Sequence, residues 1–425
     1  MHASCANHRA PSCASPAEAV RLMGEALRGL SSEGESERVA LSCARGRVLS
    51  ESVRADRDSP AIDVSAMDGF AVRFADIEAM SGQLALDVHH EAAIGAPPRT
   101  LKAGTAMRIV TGAPVPVGAD TVIRYEDVIE DAGAVRLAIA PGRVERGASI
   151  RRQGENAAAG SEVMRSGLLI NAAMIGALAS FGIDRVPVVR RVRVAIITTG
   201  DELVPPGAPV HPWQLRDSNG PVLRAMLEAR PWIETAPATH VADDPDAIET
   251  AVRDAVRSAD AVLMTGGVSM GHRDFVPRAV AAIGARTVFH TVAQRPGKPM
   301  FAAVFERGDG TARTDAAVPI LGLPGNPLSV MVTARRLALP IVATLAGISQ
   351  ASLSAPARRV RDPDSATIAL WWHRLVQECD GGEVALIAGR GSGDLAAAAA
   401  SSGFIEVPPG GAIGAMMPYY AWDEV

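Results

Sequence analysis

The chain is poor in cysteine and uses none in a recognisable pattern. Of its 425 residues four are cysteine, at Cys5, Cys13, Cys43 and Cys379, and no Cys-x-x-Cys pair occurs. This excludes the usual zinc-ribbon spacing and points to a reducing compartment. The nine histidines are scattered and His-Glu-x-x-His is absent, so that zinc-hydrolase signature is excluded too. Excess positive charge is missing: the net charge is −5, which argues against non-specific nucleic-acid binding. Long apolar runs are also missing. The run Leu337 to Ile348 falls far short of the ~20 residues that span a bilayer, so no membrane association is expected. Residues 1–15 lack an apolar signal core and are expected to be a disordered tail on a cytoplasmic protein.

What is present is a folded, multidomain composition, with 48% hydrophobic and 21% charged residues over a length that suits two to four domains. Pro16 to Leu30 and Leu168 to Phe181 carry apolar residues at helical spacing. Between them the chain is turn-rich and β-leaning, with "MDGF", "IGAPP" and "TGAPVPVGAD" as punctuation. The expected arrangement is a discontinuous helical linking domain, residues 16–57 and 147–187, with a β module inserted at 58–146. From residue 188 to 348 strand-like runs alternate with helical ones, which predicts an α/β domain with a mostly parallel sheet. Residues 349–425 read as short strands with Gly-rich turns, a small C-terminal β domain. The fold class is therefore multidomain α/β plus β.

Three strand-to-glycine transitions fall in the α/β region: "TTGDEL", "TGGVSMGHRD" and "LPGNP". Ligands of open parallel sheets bind beyond the carboxyl ends of the strands, so the three loops should share one rim. Amides exposed by glycine beside helix N-termini suit phosphate. Asp201, Glu202 and Asp274 bring carboxylates to the same rim. A Mg²⁺ ion reconciles acids with phosphate, because it takes oxygens from both. Asp274 equally suits a helix cap. "RPGKP" holds Arg295 and Lys298 between stiff prolines, placed for an oxyanion. Asp217, Ser218 and Asn219 are cap candidates, Pro327 suits a first helical position, and "DDPDAI", with Asp243 and Asp244, reads equally as a helix start.

Taken in order, "SAMDGFAV", "RIVTGAPVPVGADTVIRYEDV", "RRQGEN", "TTGDEL", "DSN", "TGGVSMGHRD", "RPGKP" and "LPGNPLS" resemble the molybdopterin molybdenumtransferases, a family also similar to the E domain of gephyrin. The resemblance runs from about Pro16 to the C-terminus and is weakest in the last domain. It implies an elongated homodimer with composite active sites. It also implies a reaction, in which molybdate enters the dithiolene of adenylylated molybdopterin and AMP leaves with the help of Mg²⁺. Carried over residue by residue, Glu202 and Asp274 would be metal carboxylates. Gly266, Gly267, Ser269 and Gly271 would hold nucleotide and phosphate, and Pro324, Gly325 and Asn326 would shape the cleft, as would Ser218, Asn219 and Asp243. Arg295, Lys298, Arg374 and Ser392 match the oxyanion contacts; Lys298 also counts as catalytic, with Glu202, Asp274 and, in the β module, Asp68 and Thr111. Departures occur at Arg295 (Lys is common there), at Asn156 of "GEN" (an acid is common), and around "LWWHR" and "ASSGFIEV". A molybdopterin adenylyltransferase is both an implied partner and an alternative activity. A non-catalytic dimeric scaffold is the other alternative.

Overall fold

The structure, a computed structural model, describes residues 12–28, 35–79, 85–268, 275–307, 317–348 and 355–423. Two compact units emerge, one built from residues 1–51, 166–175 and 184–425, the other from 52–165 and 176–183.

At the centre of the larger unit lies a seven-stranded sheet. Its strands are β1 (Val192–Thr199), β2 (Ile233–Thr235), β3 (Thr239–Val241), β4 (Ala261–Thr265), β5 (Arg286–His290), β6 (Phe301–Glu306) and β7 (Ala317–Leu323). The order is β2-β1-β4-β7-β6-β5, with β3 also paired to β1. β1 runs parallel to β2, β3 and β4, and β4 parallel to β7; only β6 introduces antiparallel pairs. β4 and β7 are buried along their whole length, as strands covered on both faces must be. Helix α3 (Pro245–Ser258) buries Ile248, Val252 and Val256 on one face of the sheet, together with α4 (Val276–Ala282). On the other face lie α2 (Asn219–Glu228) and the long Pro327–Leu345 helix. Among the described residues that helix alone is long and apolar enough to cross a bilayer, but 83% of its most apolar window is buried, as in a core helix.

Helix α1 (Pro16–Leu27) belongs to this same core. Ser15 caps it by accepting from the Glu18 amide, and Ala19, Val20, Met23 and Leu27 pack into the cluster that holds Phe289 and Leu337. The stretch just before it corrects the expected tail. Residues 12–15 are tied down: Cys13 exchanges backbone hydrogen bonds with Thr291 and Ala293 and is 1% exposed. Burial, then nearby Glu18, pushes its thiol up to about 12, so it packs as a small apolar group.

The two segments that flank the inserted module are joined by β pairing, where helices were expected. Ser36–Ala40 pairs antiparallel with Arg185–Val189. In the smaller unit Val53–Arg54 pairs with Glu162–Met164, and Val64–Ser65 with Ile150–Arg151. Each ladder satisfies backbone groups that a helix pair would leave to solvent at its ends. The helix Ala172–Ser180 is present, but α1 packs on the α/β sheet, where its apolar stripe finds a larger core.

The smaller unit carries the inserted β module. Its six strands run in the order Thr121–Arg124, Gly69–Val72, Thr105–Ile109, Leu86–Ala92, Ala134–Leu137, Val128–Asp131. Strand alternation sends Phe70 and Val72 to one cluster and Ala71 to another, so both faces are covered.

Five strands near the C-terminus form a ring, because Trp371–Glu378 pairs with both Glu383–Leu386 and Gly403–Val407. A sixth comes from the α/β region: Gln294–Arg295 pairs parallel with Trp371–Trp372. The expected boundary at 348 therefore separates the sequence but not the sheet.

Candidate functional site

Register explains the site. Thr198 lies beside Thr265, and Thr265 beside Leu323, in adjacent parallel strands. The chain leaves all three strands at the same level, at Gly200, Gly266 and Pro324. These loops converge on one cleft of 1190 Å³. That exceeds the usual small-molecule pocket and is roomy enough for a nucleotide-sized ligand.

Two glycines make the convergence possible. Gly266 has φ +90°, and a Cβ there would lie 2.4 Å from the Thr199 carbonyl oxygen. Gly200 has φ +145°, and its Cβ would meet the Glu202 carboxylate at 2.8 Å. Asn219 ties the rim together: its Nδ2 donates to the Gly325 carbonyl at 2.8 Å and reaches Thr265 Oγ1 at 3.5 Å.

The acids divide between structural and cleft roles. Asp244 caps α3, accepting from the Ala247 amide. Asp201 accepts from the Asp243 amide at 3.0 Å. Glu202, Asp217 and Asp243 line the cleft. Asp217 is also committed locally, accepting from the Gly220 amide and from Thr198 Oγ1. Ser218 occupies the N-cap position of α2 without a side-chain capping bond and faces the cleft. Glu202 is held by a short ladder between Leu203–Val204 and Leu215–Arg216, in which its carbonyl accepts from the Leu215 amide.

The cleft also has a cationic lining. Arg295 and Lys298 line the cleft, and buried Gln294 braces their turn by donating from Nε2 to the Gly297 carbonyl. Arg374 comes from the C-terminal ring. Its guanidinium stacks on Trp372 with 4.3 Å to the ring centroid, and Nη1 lies 3.4 Å from Asp364. Ser392 is brought in by its carbonyl, which accepts from the Leu328 amide. Among the described lining residues four cations, Arg216, Arg295, Lys298 and Arg374, face three carboxylates. Three lining residues carry buried polar atoms without a partner: Asn219 Oδ1, Gln294 Oε1 and His373 Nδ1. Such orphans are costly unless a ligand or water meets them.

Thirteen of the expected site residues thus share one cleft, among them Gly267, Gly325 and Asn326. Ser269, Gly271 and Asp274 lie outside the described residues. Asp68 and Thr111 lie in the smaller unit and form one pair, in which the Thr111 amide and hydroxyl both donate to Asp68 Oδ1, at 2.7 and 2.8 Å. Those two bonds hold the Asp68 carboxyl below the usual aspartate range. In an NMR titration Asp68 should therefore ionise at lower pH than an ordinary aspartate. Thr111→Val should move the midpoint back up, and an unmoved midpoint would reject the coupling. Asn156 accepts from Arg151 and so serves the same unit.

Sequence reading missed Gln294, Trp372 and His373, and with them Arg336 and Glu406. The available signals were small: an Arg-Arg pair inside the apolar run "VMVTARRLALPIV" and a lone acid in "FIEVPPG".

Known proteins resemble the chain over most of its length. Residues 14–182 match the family described as MoeA N-terminal region (domain I and II), and residues 195–344 match a probable molybdopterin binding domain. A molybdopterin molybdenumtransferase from Nostoc sp. is 37% identical over 324 residues, which is 76% of this chain and 72% of the relative. Another from Synechococcus elongatus is 34% identical over 349 residues, 80% of this chain and 83% of the relative. Among solved structures, the molybdopterin biosynthesis moeA protein of Pyrococcus horikoshii OT3 shares the fold, with a TM-score of 0.78 at 23% identity over 96% of this chain and 100% of that one. The chain belongs to the molybdopterin molybdenumtransferase family.

Proposed function

We propose that the cleft binds adenylylated molybdopterin and molybdate, and that the chain inserts the metal and releases AMP. The observation that carries this reading is the placement of three anion-suited loops and a cationic lining around one volume. The loop amides at Gly266 and Gly267 and the N-terminus of α2 take the phosphates. Arg295, Lys298, Arg374 and the Ser392 hydroxyl supply donors to a tetrahedral dianion. Insertion forms two Mo–S bonds, and one oxide of molybdate leaves as water with the two thiol protons. Cleavage of the phosphoanhydride consumes one water and gives AMP and the molybdopterin phosphate.

Mg²⁺ fits the donor set. Glu202 and Asp243 offer hard carboxylate oxygens beside the phosphate loops, and Mg²⁺ ordinarily binds one or two carboxylates plus phosphate and water. Asp274 is the further carboxylate of this reading. When bound, the ion neutralises phosphate charge as the anhydride breaks. The Asp68–Thr111 pair serves the partner's cleft in a cytoplasmic homodimer, which receives its substrate from a molybdopterin adenylyltransferase.

The test is AMP release from adenylylated molybdopterin with Mg²⁺ at increasing molybdate. A saturable dependence on molybdate is expected. AMP release indifferent to molybdate at every concentration would sink the proposal, and AMP transfer from ATP to metal-free molybdopterin would favour the adenylyltransferase alternative.

A further inference from the structure

Two strings of the C-terminal region, "LWWHR" and "ASSGFIEV", meet in space. His373 and Glu406 are direct cross-strand partners in neighbouring antiparallel strands. His373 Nε2 donates to Glu406 Oε2 at 3.2 Å, because an ionised carboxylate only accepts. Arg336 completes the group with a two-pronged contact, Nε to Oε2 at 2.7 Å and Nη2 to Oε1 at 3.2 Å. All three side chains are largely buried, with 12% exposure for Arg336, 7% for Glu406 and 0% for His373.

Arg336 sits in a π-helical turn, Ala334–Ala338, within the long helix. Its neighbour Arg335 donates to the Ala421 carbonyl, so both arginines are aimed at the C-terminal ring. Interruptions of this kind commonly mark functional positions. The same helix begins at the cleft, with Asn326 at its N-cap and Leu328 bonded to Ser392. Strand alternation puts Trp372 and Arg374 on one face and His373, between them, on the other.

Resting on the molybdate reading above, we propose that Glu406 is a positioning residue for the oxyanion lining: through His373 and Arg336 it locks the Trp371–Glu378 strand to the long helix and so fixes Arg374 in the cleft. The strand carries Arg374 on its far side, so freedom at His373 becomes misplacement of the guanidinium. The lock therefore acts on the molybdate contact, and none of its three residues lies on the Gly200 or Gly266 loop.

The test uses the full chain, with sodium molybdate titrated calorimetrically and KM measured for both substrates. Glu406→Gln should weaken molybdate binding about tenfold, the lower end for an outer-shell partner, with KM for adenylylated molybdopterin unchanged. That variant leaves Arg336 buried without its counter-charge and risks poor folding. Arg336→Met/Glu406→Gln removes both charges together and should fold while showing the same selective loss. If the double variant binds molybdate as the wild type does, the inference fails although the function stands. If the wild-type chain binds no molybdate, the reading beneath both is overturned.

Discussion

Gly266→Ala is expected to abolish nearly all AMP release and to destabilise the α/β unit by several kcal/mol. At φ +90° an L-residue is strained, by about 1–2 kcal/mol even in the best left-handed geometry. The added methyl would also stand 2.4 Å from Thr199 O and 2.6 Å from Thr199 Oγ1. The carbonyl cannot swing away, because Thr199 ends β1 and is paired within the sheet. Forcing β1 and β4 apart at their carboxyl ends adds about 1–3 kcal/mol of overpacking. It also displaces the loop amides that would hold phosphate. Gly267 is the internal control. Its φ is +58° and the nearest obstacle is the Val276 methyl at 3.3 Å, so Gly267→Asn should cost far less. Thermal unfolding of the two variants checks the difference in stability; AMP release is read on Gly266→Ala, because the Gly267 amide belongs to the same phosphate loop. Equal losses of stability at both positions would show that the close approach to Thr199 is unimportant.

The second large effect is acid sensitivity at Glu406. Burial alone would raise its carboxyl, but the hydrogen bond from His373 and the charge of Arg336 win and bring it down to about 2, against an ordinary 4.5. The Tyr420 phenol faces the same group, and burial pushes it up to about 12, so it stays neutral. A depressed carboxyl contributes stability that is fully present above the unfolded value and lost as pH falls through the folded one. The gap between wild type and Glu406→Gln should therefore be greatest at neutral pH, roughly 3 kcal/mol, and close between about pH 4.5 and 2. Thermal midpoints of both proteins across that range give the answer. A gap independent of pH would mean that Glu406 contributes shape and not charge. Because a well-packed apolar pair can stabilise as much as a buried ion pair, the ions here are better understood as fixing register.

Where the sequence was legible, a local rule had no competitor. The alternation of apolar strands with helices predicted the parallel sheet, and three glycine turns after three strands predicted a shared rim. β1, β4 and β7 are adjacent, so the rim exists. Asp243 and Asp244 could not be separated by pattern, because both sit before a helix; only the fold turns Asp243 to the cleft and leaves Asp244 as the cap. The apolar stripe of α1 was visible, but a stripe does not say which core it joins. Nor does a two-residue strand such as Gln294–Arg295 announce itself, since its partner lies some 75 residues on at Trp371. Buried charges were the hardest to read. Arg336 and Glu406 look like flaws in apolar runs until each is seen to neutralise the other.

The burial of α1 also sets a timetable for synthesis. Its apolar face rests on β5, β6, β7 and the long helix, whose last turn ends near residue 345. At ordinary elongation rates that surface leaves the ribosome only on the order of tens of seconds after α1 itself. During that interval Ala19, Val20, Met23 and Leu27 have no sheet to cover them. A nascent chain stalled before residue 286 presents this stripe to holding chaperones, and one released after 345 does not.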